Sequence, residues 1–273
     1  MTSGARDALL LPADRAELER AVHALEHQSF AVRLAELTGQ PVSRMFSAMP
    51  KFATRRINRV VENAILKSLE VAISSMEGEV LDEQPSRWVP RVIAGVTGGL
   101  GGLFGAFSLP VELPLTTMVI LRSIAEIAQS RGEDLTQLPC RLACLEVFAL
   151  GAGGPRETNI LSYYATRAIL SGLTRDVAHL IAAQGTAEVT TTLAVRVAAT
   201  ISSRFGPAVA ERLAATAVPI AGLVSGATVN MLFMEHYQRL AHGHFTIRRL
   251  ERQYGAAEIE TLYRRMAAVQ LPH

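Results

Sequence analysis

The sequence predicts an all-α fold, a multi-helix bundle with two central glycine-rich apolar helical segments packed together. Three observations carry this expectation. Apolar residues recur at helical spacing between glycine and proline stops along most of the chain. Two stretches, 92–111 and 213–234, hold no charged residue, and glycines four apart clear one helical face in each. No alternating segment outcompetes the helical pattern, although 188–197 (EVTTTLAVRV) is rich in β-branched residues.

The first helix is expected after Asp14, with Leu18, Val22, Leu25 and Val32 on one face and a stop at Gly39 and Pro41. A second follows Ser43 or Pro50, with Ile57, Val60, Ala64 and Leu69 as its apolar stripe and Gly78 as its end. The segment 44–67 carries Arg44, Lys51, Arg55, Arg56, Arg59 and Lys67 against the single acid Glu62, interleaved with Met45, Phe46, Met49 and Phe52. Such a basic amphipathic stretch suits either a solvated face or the surface of an anionic membrane.

The central run contains Gly95, Gly98, Gly99, Gly101, Gly102 and Gly105, three pairs of them four apart. Each glycine costs a helix about 1 kcal/mol relative to alanine, so close tertiary packing must offset them. The segment 108–114 (SLPVELP) reads as a connection, and Glu112 sits where the positive end of the next helix favours a carboxylate. That helix is expected to end at Gly132, and the next, 138–150, at the glycines of 151–155. Two or three helices cover 156–205 until Gly206-Pro207 breaks them. The second uncharged stretch repeats the four-residue spacing at Gly222 and Gly226, and an amphipathic tail follows it. The chain is expected to form one fold, with an N-terminal helical arm over 1–84 and a helical core over 85–273.

With 49% apolar, 5% aromatic and 19% charged residues, the excess lies in Ala, Leu, Val and Gly, which favours close helix contacts. A net charge of +2 gives no field that calls for a nucleic-acid partner. Cys140 and Cys144, one helical turn apart, are too few for a disulfide framework and are expected to be small buried residues. The apolar patch Ala8 to Leu11 is too short for a signal peptide, so the chain is expected on the cytoplasmic side. Both uncharged stretches meet the length for spanning a bilayer. The first gains only about −4 kcal/mol from its aliphatic and aromatic residues, opposed by glycine and proline. Burial inside a protein bundle is the leading expectation, ahead of peripheral insertion and of spanning.

Several chemistries fail on spacing. A dinucleotide fingerprint starting at Gly99 would need glycine where Phe104 stands, and no lysine follows Lys67 to build a phosphate-binding loop. The run 222–226 (GLVSG) lacks the spacing of a hydrolase nucleophile elbow. His23 and His27, and the looser group His236, His242 and His244, lack a metal-site pattern, so neither metal nor cofactor is expected. No catalytic set is assigned. What remains is a set of polar candidates for a buried network or pocket: Glu112, Arg122, Glu126, Glu146 and Asn230.

The run 109–135 (LPVELPLTTMVILRSIAEIAQSRGEDL) behind its glycine-rich leader, and 218–255 with its proline, glycines, asparagine and basic tail, resemble the EcsC protein family. The matching positions are Gly98, Gly99, Pro110, Glu112, Pro114, Arg122, Glu126, Gly132, Pro219, Gly222, Gly226 and Asn230. The resemblance implies an EcsC-like helical core of bacterial type, a setting beside the membrane and an ABC transporter as one partner, but no reaction. The leading expectation is therefore a non-enzymatic protein at the cytoplasmic membrane face that binds lipid or a membrane-protein partner. The alternatives are a hydrolase acting on a hydrophobic or envelope substrate through Glu112 or Glu126, and a homo-oligomer joined by glycine-faced helices.

Overall fold

A computed structural model describes residues 10–26, 30–38, 59–68, 109–150, 162–184, 186–217 and 226–270. Among them every regular element is helical. We label these α1 (Pro12–Glu26), α2 (Phe30–Thr38), α3 (59–68), α4 (Leu109–Ser130), α5 (Leu138–Leu150), α6 (Ser162–Gln184), α7 (Thr186–Ala217), α8 (Gly226–Tyr254) and α9 (Ala256–Gln270).

The axis of the molecule is α8. Its buried side chains, Phe233, Tyr237, Leu240, Ala241 and Phe245, meet Phe30 of α2, Val61 and Ile65 of α3, Ile124 of α4, Phe148 of α5 and Phe205 of α7 in one apolar cluster. A second cluster lies toward the end of α8. There Ile247 and Leu250 join Leu18 and Val22 of α1, Tyr163 of α6 and Ile259, Leu262 and Tyr263 of α9.

Interhelical bonds fix the directions. Gln238 of α8 donates to Ser123 of α4, and Arg248 of α8 reaches Glu133 just beyond α4; both pairs are 115 residues apart, so the two helices run parallel. Against α8, α1 runs antiparallel, because Asp14 meets Arg249 whereas Ala21 and Leu25 lie against Gly243, and α2 packs beside it with Phe30 on Phe233 and Arg33 near Glu235. Helix α7 is also antiparallel to α8, because its Arg212 meets Asn230 and its Phe205 meets Tyr237.

Local rules explain most helix ends. After α4 the amide of Glu133 bonds back to the carbonyl of Ala128 and the amide of Gly132 to that of Gln129, with Gly132 at φ +79°. This double closure needs a left-handed residue, which glycine adopts without strain. Gly255, at φ +98°, performs the same service between α8 and α9.

Three expectations change. Helix α4 already begins at Leu109, inside the segment read as a connection, because a proline in the first turn forfeits no intrahelical bond. Helix α7 passes through Gly206-Pro207 without a break. Ser203 and Pro207 both lie on its exposed face, so water can solvate the carbonyl that loses its partner. Val32 turns outward while Phe30, Ala31 and Leu34 are buried, so the apolar stripe of α1 does not continue in phase into α2. The β-branched run 188–197 lies within helix α7.

Candidate functional site

The register brings three helix ends to one pole. With an offset of 115 residues, Gly226 at the start of α8 lies level with residue 111, in the first turn of α4. Antiparallel packing places the end of α7 (Ala217) at the same level. In sequence, the chain enters α4 from the glycine-rich run 92–108, joins α7 to α8 through 218–225, and leaves α2 toward the basic stretch 44–67. Both uncharged stretches thus adjoin, in sequence, helix ends that lie at this level.

The pole's described flank is apolar. Met118 of α4 and Met231 of α8 are 55% and 58% exposed and sit within two residues of one level. Beneath it lies the largest fully buried side chain, Arg212 of α7. Its Nε donates to Oδ1 of Asn230 at 2.7 Å, and its guanidinium lies 5.4 Å from the ring centroid of Phe233. One residue earlier, burial pushes the Glu211 carboxyl up to about 7.

The opposite end is ionic. Arg249 of α8 bridges Asp14 at 2.7 Å and Glu17 at 3.1 Å, and Arg131 also holds Glu17 at 2.7 Å. Hydrogen bonds from Tyr254 and Arg249 keep the Asp14 carboxyl below the usual range. Glu133, with a side chain only 1% exposed, receives Arg248 in a bidentate pair at 2.9 and 2.8 Å and is bonded by Arg252 as well. Burial alone would raise this carboxyl. The hydrogen bonds and charge of Arg248, with Cys140 and Arg252, reverse that and hold it at about 2. On the other side of α8, Glu251 accepts both guanidinium nitrogens of Arg167 at 2.6 and 2.7 Å and the hydroxyl of Tyr164 at 3.0 Å.

Between the poles, Nδ1 of His244 lies 3.0 Å from the hydroxyl of Tyr163. Burial, then the charges of Arg167 and Arg248, drive this imidazole far below its ordinary pKa, so it stays neutral. Neither side chain reaches solvent, so the pair orders the core and cannot touch a substrate in this fold. Burial also raises both thiols, that of Cys144 to about 12, and the two cysteines are free and buried.

The polar candidates read from sequence do not meet in one place. Arg122 and Glu126 form an i,i+4 pair at 3.1 Å on the solvent side of α4, 49% and 64% exposed, which places them outside the core. Glu146 is buried on α5, in a different region from the part-buried Asn230–Arg212 contact on α8 and α7. Glu112 falls in the first turn of α4, but its side chain lies outside the described residues, as do Gly95, Gly98, Gly99, Gly101, Gly102, Gly105 and Gly222. Gly226 is the first residue of α8. Among the basic residues, Arg59 is exposed at the start of α3, while Arg44, Lys51, Arg55 and Arg56 lie outside the described residues.

Sequence reasoning missed Arg212, Glu133 and His244 as buried polar groups. Their partners are distant in sequence or of unremarkable type, and the one available signal was a charge falling on an otherwise apolar helix face. No helix among the described residues is long and apolar enough to cross a membrane. Compared with known proteins, residues 13–250 match the sequence model of the EcsC protein family. No curated protein and no solved structure matches.

Proposed function

The chain belongs to the EcsC protein family, and with that membership as premise we propose that it is a peripheral membrane protein whose apolar pole engages anionic lipid. The observation that supports this is the convergence of helix ends. The start of α4, the end of α7 and the start of α8, which the uncharged stretches adjoin in sequence, share one end, and the ionic clusters described above gather toward the other. The chemistry fits an interfacial mode. Apolar side chains such as Met118 and Met231 enter the headgroup boundary, while basic residues contribute about 1 kcal/mol each near an anionic surface. Buried Arg212 and its half-buried partner Asn230 then stiffen the α7–α8 junction just inside the contact.

Vesicle flotation tests the reading. The protein should float with phosphatidylcholine vesicles containing phosphatidylglycerol, float less without the anionic lipid, and lose affinity as salt rises. Replacing both Met118→Glu and Met231→Glu should abolish flotation with the fold intact. Leu11→Glu, at the ionic pole, should leave it unchanged. Absence of wild-type flotation at low salt, or equal effects at both poles, would refute the proposal.

A further inference from the structure

A groove of about 550 Å³ runs between α6 and α7, lined by Ile169, Gly172 and Asp176 on one side and Arg196, Ala199 and Thr200 on the other. Its chemistry is unusual for a solvated surface. Ile169 is 53% and neighbouring Val195 42% exposed. Gly172 stands in the interior of a 23-residue helix, with nothing within 4 Å of where its Cβ would be. Glycine is the poorest ordinary helix former, and no close approach among the described residues accounts for its presence. Among the described residues, neither the Asp176 carboxylate nor the Arg196 guanidinium makes an ion pair or hydrogen bond.

We propose that this groove is the self-association surface of the protein, occupied by a second copy of the chain related by a two-fold axis along the groove. The charges select that occupant. Arg204 of α7 donates to Thr166 of α6 while Asp176 and Arg196 line the same groove, so the helices run antiparallel with Asp176 level with the turn that bears Arg196. A two-fold axis along the groove lays each α6 over the other copy's α7 at the same height. Each Asp176 then meets the second copy's Arg196, so the contact forms twice. The same operation sets Gly172 against the second copy's Ala199, where a side chain would hold the helices apart. It also removes Ile169 and Val195 from water. This is an isologous interface, the commonest kind among soluble oligomers, and it is independent of the lipid-binding pole.

Size-exclusion chromatography with light scattering on the full chain, without lipid, decides the matter. The wild type should show a monomer–dimer equilibrium at concentrations up to about 100 µM. Asp176→Arg and Arg196→Asp should each shift it to monomer by tenfold or more, and the double exchange should restore the dimer. Gly172→Leu separates loss of interface from loss of fold. It meets open space in the monomer and improves helix propensity, so the thermal midpoint of the monomer should hold or rise while the dimer disappears. A wild type that stays monomeric over that range, a dimer that survives Gly172→Leu, or a double exchange that stays monomeric would each overturn the proposal.

Discussion

Glu133→Gln is the sharpest test of what holds the ionic pole together. The substitution keeps the shape of the side chain but removes a buried carboxylate bound by Arg248 and Arg252. The carboxyl is lowered from 4.5 to about 2. A difference of about 2.5 pKa units corresponds to about 3 kcal/mol of stability for the ionised form. The sign follows from a depressed acid. The unfolded chain binds more protons between the two pKa values, so this contribution is present above pH 4.5 and lost as pH falls toward 2. The same interaction seen from its partner is an Arg248 left largely buried without its counter-charge. Urea denaturation at pH 7 should show a lower midpoint at unchanged slope and a deficit of about 3 kcal/mol. Repeated at pH 5, 4 and 3, the gap between wild type and variant should shrink progressively. A deficit under about 1 kcal/mol at pH 7, or one independent of pH, would refute the reasoning.

Other expectations follow from the same physics. Tyr237→Phe deletes a fully buried hydroxyl that makes no hydrogen bond, so stability should hold or rise by about 1 kcal/mol in urea denaturation. Gly132→Ala imposes a side chain at φ +79° where the nearest atom, Nη2 of Arg252, is 3.7 Å away. The loss should therefore be the backbone cost alone, about 1 kcal/mol, and a thermal melt reads it. For Glu211 the sign is opposite to that of Glu133, because its folded pKa is raised by burial from 4.5 to about 7. Its stabilising neutral form is lost as pH rises through 7, so Glu211→Gln should gain on wild type between pH 5 and 8. Thiol titration at pH 8 should find Cys140 and Cys144 unreactive until denaturant is added.

The sequence made the helical class legible because its punctuation is local. Gly132 marks a left-handed closure that the structure contains, and the apolar spacing of Leu18 and Val22 reports a buried face directly. Pro207 misled because a proline's effect depends on whether water can reach the carbonyl it orphans, which only packing decides. The ionic pole was illegible for a different reason. Glu133 and Arg248 are 115 residues apart, and nothing near either announces the other. The pole of converging ends needed both kinds of information. Sequence marked the unusual segments, but only the parallel register of α4 and α8 shows that their ends coincide.

That α1 is clasped by α8, with Asp14 and Arg249 separated by 235 residues, has a consequence during biosynthesis. At elongation rates of about 5–20 residues per second, the first helix waits roughly ten to fifty seconds before its partner exists. Its oily stripe of Leu18, Ala21 and Val22 has nothing to cover it for that interval. A chain built this way forms the contact between α1 and α8 late, after the intervening helices have been made.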